Sequence, residues 1–407
     1  MNRIYLDHSA TTPVRPEVVA AMLPYFAGKF GNPSSIHSFG REARVVLDEA
    51  REQVAEAIGA QPEEIVFTAG GSEADNMAIK GAAIAALGKK RHVITSAIEH
   101  HAVLDTVQSL SRLGFEFTIA PVDSDGLVDP EFVRSAIRPD TFLVSIMHSN
   151  NEVGTIQPIA EIAAIAHEAG VLMHTDAVQS FGHVDVDVAS LGVDMLSISG
   201  HKFYGPKGVG ALYLRRGVRV ASLINGGAQE RKRRAGTENV AGIVGMGLAA
   251  KLAIDELDET AYRQSVLRDK LINGLRGRIP DTKLNGHPTR RLPNNVNISY
   301  LYVEGESLLL NLDMAGIAAS SGSACTSGSL EPSHVLMAMG LSHEVAHGSV
   351  RMSLGRDTTE EDVDTVFEVM PRIVDKLRAM SPVYHKSECG ISGMCANACE
   401  CEIAKKA

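Results

Sequence analysis

Lys202 is the first residue whose type and position could do chemistry. It follows the apolar run 195–199, which predicts a β-strand, and Ser199 and His201 stand beside it. Ligands of open α/β sheets bind beyond the carboxyl ends of the strands, so this lysine lies where a Schiff base could form. His201 could contact a phosphate, or it could be an ordinary packing or hydrogen-bonding histidine. Lys207, in the Gly/Pro turn that follows, is interpreted as structural or solvated.

Two further places follow apolar runs in the same way. Asp176 comes directly after a predicted strand at 170–175, and its carboxylate could hold a protonated pyridine nitrogen or cap the next helix. Gly70, Gly71 and Ser72 separate a predicted strand at 64–68 from a helix. Glycines let backbone amides approach a ligand, and a helix N-terminus favours an anion such as phosphate. A turn with a helix cap and no ligand would give the same pattern.

Cys325 is the one cysteine of five that lies outside residues 389–407. Its surroundings, ASSGSACTSGSLEPSH, predict a mobile loop, although a buried inert cysteine is the alternative. Cysteine reacts as the thiolate, so a nearby base or cation is needed. The other four match no common zinc or ferredoxin spacing, which leaves a functionally minor tail, metal or iron-sulfur ligation, and sulfur relay from Cys325 open. These four are Cys389, Cys395, Cys399 and Cys401.

Repeated strand-helix units must position these residues. From about residue 60 to 215, short β-branched runs alternate with Ala-rich amphipathic segments, which predicts an α/β domain with a buried parallel sheet. Its predicted strands also include 92–95, 141–147 and 210–214. After Thr237 the pattern changes to long charged stretches such as 255–276, then a strand at 295–300. We therefore predict a large domain at 13–257, a smaller α+β domain formed by 1–12 with 258–381 that carries the Cys325 loop, and a Cys-rich tail at 382–407.

Length, composition and charge exclude several classes of protein. The chain has 407 residues, 44% hydrophobic and 22% charged, with no apolar run long enough to cross a bilayer. The start shows no signal or transit peptide, which predicts a cytoplasmic protein without a membrane partner. A net charge of -10 argues against broad attraction to nucleic acid. The basic run 231–234 is either a solvated loop or a contact with phosphate, a partner or another subunit.

The order of these elements along the chain resembles one family. It runs from the Gly-Gly-Ser loop through His100 and Asn151 to Asp176 with Gln179, and then to Lys202. This order is similar to that of the fold-type I pyridoxal-phosphate enzymes, specifically the class V group that contains the cysteine desulfurases of the NifS/IscS type. The match extends from YLDHSATTP at 5–13 to SLGR at 353–356. The resemblance implies a large domain with a mostly parallel central sheet flanked by helices.

The resemblance also implies a role for each matching residue. The phosphate would be held by Gly71, Ser72, Ser199 and His201, and by Thr237 from the neighbouring subunit of a homodimer. Around the ring, His100 would stack, Asp176 would pair with the pyridine nitrogen, and Gln179 and Asn151 would lie near the ring hydroxyl. Lys202 would carry the cofactor as a Schiff base. Asn151 would also lie near the substrate, and Arg351 would bind the substrate carboxylate.

The implied reaction converts L-cysteine to L-alanine and leaves the sulfur on Cys325 as a persulfide, with His100 as the candidate base. A protein acceptor, expected to be an iron-sulfur cluster scaffold, would take the sulfur, and a contact of Cys325 with a cluster stays open. Two alternatives remain. One is a selenocysteine lyase or other class V enzyme, although an aminotransferase needs no persulfide carrier. The other is a metal-binding scaffold for cluster assembly, against which the intact Lys202, Asp176 and Cys325 argue.

Overall fold

Residues 3–321, 332–382 and 384 are described by a computed structural model. Their β-strands are β1 (Ile4–Tyr5), β2 (Ile65–Thr68), β3 (His92–Ser96), β4 (Glu116–Ala120), β5 (Thr141–Ser145), β6 (Leu172–Asp176), β7 (Met195–Ser199), β8 (Gly210–Leu214), β9 (Thr282–Leu284), β10 (Asn295–Tyr300), β11 (Ile317–Ala318) and β12 (Ser349–Ser353). Their α-helices are α1 (Pro16–Met22), α2 (Ser38–Glu56), α3 (Gly71–Ala86), α4 (His101–Leu110), α5 (Pro130–Ala136), α6 (Ile159–Glu168), α7 (Val188–Leu191), α8 (Val240–Asp255), α9 (Leu257–Arg278), α10 (Gly305–Met314), α11 (His334–Ala338), α12 (His343–His347) and α13 (Glu360–Met380).

A seven-stranded sheet forms the centre of the larger part of the chain. Its order is β2-β8-β7-β6-β5-β3-β4, and β8 alone runs antiparallel to its neighbours β7 and β2. Every residue of β2, β3, β5, β7 and β8 is buried, as expected for strands covered by helices on both faces. The predicted mostly parallel sheet flanked by helices is confirmed. The strands β7, β8 and β10 have the predicted bounds.

The edge strand β4 was not among the predicted strands. Its sequence EFTIA begins with exposed residues, and Phe117 and Ile119 remain accessible to solvent. A half-exposed edge strand lacks the continuous apolar run by which the central strands are identified.

Helices α2 and α8 pack closely on one face of this sheet because small residues line their contact. A β-carbon added at Gly247 would lie 2.8 Å from the α-carbon of Ala50 and 2.6 Å from the Gln53 amide oxygen. Glycine is therefore required at this crossing. Helix α1 also packs on α8.

A second hydrophobic core surrounds the three-stranded antiparallel sheet β12-β10-β9. Helices α9 and α13 pack against each other there, and α10 packs on α13. Thr359 and Asp362 form a reciprocal capping box at the start of α13. The chain passes from the hydrophobic core around the seven-stranded sheet to this second core between the end of α8 at Asp255 and the start of α9 at Leu257. The three domain boundaries stay a prediction.

The N-terminal segment belongs to both cores. Strand β1 pairs in parallel with β11, and Asp7 forms a bridge with Ser353 at the end of β12. The backbone N–H of Thr12 then donates to the His201 carbonyl at 3.0 Å, beyond the end of β7. Among the described helices, none has both the length and the apolar composition that a bilayer crossing requires.

Candidate active site

A cavity of about 440 Å³ lies beyond the carboxyl ends of β6 and β7. The structure brings ten of the predicted site residues to its wall: Gly71, Ser72, His100, Asn151, Asp176, Gln179, Ser199, His201, Lys202 and Arg351. Strands β6 and β7 run parallel, so Asp176 and Ser199, their last residues, end at the same edge of the sheet. The sheet topology thus collects residues that are far apart in the sequence.

One end of the cavity suits an anion. Helix α3 begins after Gly70, which has a φ of 152° and supplies no side-chain cap. Amide N–H groups at such an end carry a partial positive charge and can bind phosphate. Gly71 must be glycine, because an added β-carbon would lie 2.7 Å from a methyl carbon of Val178. Ser72 and Ser199 place hydroxyl groups at this same end.

His201 and Lys207 supply further polar groups near the anion end. A second cavity of about 470 Å³ shares Ser72, Ser199 and His201 with the first and also contacts Lys207, which is exposed. His201 Nδ1 lies 3.1 Å from the Thr11 hydroxyl. Burial, followed by the nearby Lys202, lowers the pKa of His201 to about 4, so its ring is neutral at pH 7.

Asp176 is buried in the cavity wall, with 6% of its surface exposed. One carboxylate oxygen accepts a 2.8 Å hydrogen bond from the Val178 backbone N–H. Burial raises the pKa of Asp176 to about 6, and the Val178 N–H and the Lys202 cation act in the opposite direction. Behind it, burial and the charge of Asp176 raise the pKa of Asp75. The ionised carboxylate of Asp176 is therefore poorly solvated, and a cationic ligand group bound beside it in the cavity would stabilise it.

Lys202 ends a short 3₁₀ turn, Gly200–Lys202, and its amine is directed at the N-terminal segment. The Nζ atom donates to the Ser9 carbonyl at 2.5 Å and to the Ala10 carbonyl at 2.9 Å. The Gln179 side-chain amide donates to the same Ser9 carbonyl at 2.9 Å. The N-terminal segment therefore fixes the position of the amine in the cavity.

His100 caps the N-terminus of α4. Its Nδ1 accepts a 3.0 Å hydrogen bond from the Ala102 backbone N–H. Burial and the neighbouring Lys202 lower the pKa of His100 to about 4. The ring is therefore neutral at pH 7, and its proton is on Nε2 because Nδ1 is the acceptor.

Arg351, on β12, also lines the cavity, with 3% of its side chain exposed. Its Nη1 donates to the Asn151 carbonyl at 3.0 Å, and its Nη2 lies 2.8 Å from a carboxylate oxygen of Asp7. Its backbone pairs with Ser320 in an isolated antiparallel bridge. The predicted carboxylate-binding residue thus contacts a carboxylate of the chain itself.

The residues on either side of the predicted Cys325 loop contact residues in the cavity wall or next to it in the chain. Ser320 pairs with Arg351, while Ser333 donates a hydrogen bond to the buried carboxyl group of Glu152, the residue after Asn151. His334 Nε2 lies 3.0 Å from the Glu99 carbonyl oxygen, next to His100. Cys325 and the four tail cysteines lie outside the described residues.

Thr237 does not contribute to the cavity of its own chain; it is exposed and precedes α8. The basic run before it contacts other parts of the protein. Arg234 forms an ion pair with Glu73 at 2.9 Å, and Arg233 donates to the Glu63 carbonyl at 2.9 Å. Within the part of the chain that the structure describes, no group of histidine, cysteine or acidic side chains is suited to hold a metal ion.

Sequence reasoning missed six residues at or near the cavity. They are Asp7, Ser9, Ala10, Asp75, Met147 and Val178. Ser9 and Ala10 act through backbone carbonyls, for which side-chain type gives no signal. The motif DHSATTP could have indicated the N-terminal segment, but nothing in its local pattern shows that it crosses to Lys202 and Arg351.

Comparisons with known proteins identify the family. The family model described as "Aminotransferase class-V" matches residues 4–366. The chain is 58% identical over 379 residues to a protein named cysteine desulfurase IscS from Dictyoglomus turgidum, across 93% of this chain and 96% of that protein. It is 60% identical over 383 residues to one of the same name from Methanosarcina thermophila, across 94% and 95%. The chain belongs to the cysteine desulfurases. A solved "NIFS-LIKE PROTEIN" is similar with a TM-score of 0.87 and 41% identity, across 92% of this chain and 100% of that one.

The predicted family and fold type are thereby confirmed, and a cysteine desulfurase of class V is a pyridoxal-phosphate-dependent enzyme. The cavity fits that cofactor. The uncapped start of α3 and the hydroxyl of Ser72 suit its phosphate, the buried carboxylate of Asp176 suits a ring cation, and the amine of Lys202 suits its aldehyde. The volume of about 440 Å³ is also within the usual range for cofactor sites.

Proposed function

We propose that the enzyme converts L-cysteine to L-alanine in this cavity and transfers the sulfur to Cys325. The observation that carries the proposal is the meeting of three groups in one cavity: an amine at Lys202, a buried carboxylate at Asp176 and a buried guanidinium at Arg351. An amino-acid substrate needs a partner for its carboxylate and a base at its α-carbon. Pyridoxal phosphate, when bound, withdraws electrons from the α-carbon of the substrate.

We also assign the contacts with the cofactor from the residues that line the cavity. The start of α3 with Gly71 and Ser72, together with Ser199 and His201, would hold the phosphate. Asp176 would face the ring nitrogen, and His100, Gln179 and Asn151 would contact the ring or its hydroxyl. Lys202 would bond to the aldehyde carbon. The geometry supports these assignments because all of these residues line the same cavity.

The chain's own residues would move protons and sulfur as follows. Arg351 binds the substrate carboxylate, and Lys202 removes the proton from the α-carbon through Nζ. The Cys325 thiolate then attacks the substrate sulfur. The new S–S bond forms as the C–S bond breaks, and the electron pair of that C–S bond remains with the carbon fragment, which becomes L-alanine after protonation. His100 presents Nε2–H, which can hydrogen-bond to a thiolate in the site.

The persulfide on Cys325 would serve a protein acceptor. Relatives at 58% and 60% identity carry the name cysteine desulfurase IscS, which supports a scaffold for iron-sulfur cluster assembly as that acceptor. A cytoplasmic location stays part of this proposal.

The direct test measures alanine and sulfide released from L-cysteine by the purified enzyme in the presence of a thiol reductant. Cys325→Ala should retain the absorbance of bound cofactor and lose sulfide release, while Cys395→Ala, the same change in the tail, should retain both. Lys202→Ala should lose the absorbance of the Schiff base, while Lys251→Ala, at an exposed ion pair on α8, should not. A cofactor-loaded wild type that releases no alanine would contradict the assigned reaction.

We also propose a homodimer. Helices α1 and α2 and the segment between them expose large apolar side chains, which we call the α1–α2 patch: Val19, Leu23, Phe26, Phe30, Ile36, Phe39 and Val45. A cluster of this kind usually marks a protein interface. Helix α8 packs on α1 and α2 and begins three residues after Thr237. A second copy on the patch would bring Thr237 near the interface, where it could reach the partner's phosphate site.

For the tail, metal or iron-sulfur ligation by the four cysteines remains one hypothesis beside sulfur relay and a minor role. Metal analysis of the full chain and of a chain ending at residue 381 tests the ligation hypothesis. Metal bound by the full chain alone would support ligation. We likewise propose the domain division at residues 12/13 and 257/258, for which the two hydrophobic cores are the support.

A further inference from the structure

We propose that Asp7 competes with the substrate carboxylate for Arg351 and thereby sets how tightly the enzyme binds its amino-acid substrate and product. This inference rests on the proposed function, because it concerns the same cavity. It assigns a specificity-determining role to a residue that does not line the cavity and acts through Arg351.

The fold fixes Asp7 beside Arg351. Asp7 forms a parallel bridge with Ser353, which lies two residues beyond Arg351 on β12. Alternate residues of a strand point to the same face, so Ser353 and Arg351 share the face that meets the N-terminal segment. The Tyr5 hydroxyl oxygen lies 3.1 Å from the Asp7 carbonyl oxygen and 3.0 Å from the Thr11 carbonyl oxygen, and its one hydrogen is shared between these two acceptors, which holds this segment in place.

The contact of Asp7 with Arg351 is a direct ion pair at 2.8 Å. The Arg351 side chain is 3% exposed and the Asp7 side chain 20% exposed, so solvent screens the pair weakly on the arginine side. Arg351 Nη1 also donates to the Asn151 carbonyl, and the buried Nε has no hydrogen-bond partner among the described residues. Among the described ion pairs, the carboxylate of Asp7 is the one that neutralises this guanidinium.

The nearby carboxyl group of Glu152 is engaged elsewhere. It accepts a hydrogen bond from Ser333, and burial raises its pKa, an effect that this hydrogen bond and the charge of Arg351 partly oppose. Asp7 is thus the carboxylate in direct contact with Arg351, and a second carboxylate that approaches this guanidinium meets it there.

A substrate carboxylate must therefore share Arg351 with a charge of its own sign. An asparagine at position 7 keeps the shape of the side chain and an oxygen that can accept from Nη2, but it removes the charge. The guanidinium would then be uncompensated, and a carboxylate ligand would gain its full attraction. We expect binding of such ligands to tighten by about tenfold or more.

The experiment uses the cofactor-loaded enzyme and its Asp7→Asn variant. Isothermal titration calorimetry gives the Kd of L-alanine, which has a carboxylate, and of cysteamine, which has the amine and thiol without one. We expect Asp7→Asn to lower the Kd of L-alanine and the KM of L-cysteine by about tenfold. Cysteamine binding should not change. Asp255→Asn, the same substitution at the exposed ion pair with Lys251, should leave all three constants as in the wild type.

Two further variants show whether charge is the cause. Asp7→Glu retains the charge and should bind L-alanine as the wild type does. Asp7→Ser removes the charge with a smaller side chain and replaces Asp7→Asn in the experiment if that variant does not fold. It should bind L-alanine more tightly than the wild type does. Unchanged or weaker L-alanine binding in a folded, uncharged variant would overturn the inference. A wild type that binds L-alanine but releases no sulfide would contradict the proposed reaction and leave the role of Asp7 testable.

Discussion

Replacing Asp176 with asparagine should stabilise the cofactor-free protein at pH 8 and weaken its binding of pyridoxal phosphate. Burial raises the pKa of Asp176 from 3.8 to about 6 in the folded chain. The difference is about two pH units, and each unit corresponds to about 1.4 kcal/mol. At pH 8 the ionised carboxylate therefore costs the folded state about 3 kcal/mol relative to the unfolded chain.

The sign of the pH dependence follows from the raised pKa. The folded state binds the Asp176 proton more tightly than the unfolded chain, so this contribution to stability is complete below pH 3.8 and is lost as the pH rises through about 6. Asparagine does not titrate. The free energy of unfolding of Asp176→Asn should exceed that of the wild type by about 3 kcal/mol at pH 8 and by about half of that at pH 5.

Urea denaturation of the cofactor-free wild type and of Asp176→Asn at these two pH values measures the difference directly. The charge of Asp176 also raises the pKa of its neighbour Asp75, so removing that charge acts on the stability at pH 8 in the same direction. Asp48→Asn, on the exposed surface of α2, controls for the substitution itself. Binding of pyridoxal phosphate should weaken by about 2 kcal/mol or more in Asp176→Asn, because the ring cation loses its buried partner. A variant that is no more stable than the wild type at pH 8 would refute the burial argument.

Two other predictions concern stability and assembly. Glu230 accepts hydrogen bonds from both Nη atoms of buried Arg51, at 2.8 and 2.6 Å, so Glu230→Gln should cost about 3 kcal/mol in urea denaturation. Asp48→Asn, which breaks an exposed pair, should cost less than about 1 kcal/mol, and similar costs for the two would contradict this reasoning. Phe26→Glu in the α1–α2 patch should yield a monomer by light scattering. Leu113→Glu, at an equally exposed site elsewhere, should remain a dimer; a dimeric Phe26→Glu would exclude the patch as the interface.

The local pattern of the sequence was enough to predict the central sheet. Continuous apolar runs predicted β7 and β8 with their observed bounds, because strands buried on both faces leave little choice of residue. Asp176 and Lys202 could be selected in the same way, since each lies at or just beyond the end of such a run. The half-exposed strand β4 and the interface of small residues between α2 and α8 have no comparable local signal.

The sequence by itself determined the family, the α/β architecture and the set of residues capable of this chemistry. Residue types and their order carry that information, because each motif is local. Only the tertiary structure decided that the N-terminal segment holds Lys202 through two carbonyl groups and neutralises Arg351 through Asp7. These contacts join residues more than 190 positions apart. They arise from strand pairing of β1 with β11 and from the bridge between Asp7 and Ser353, which no local pattern encodes.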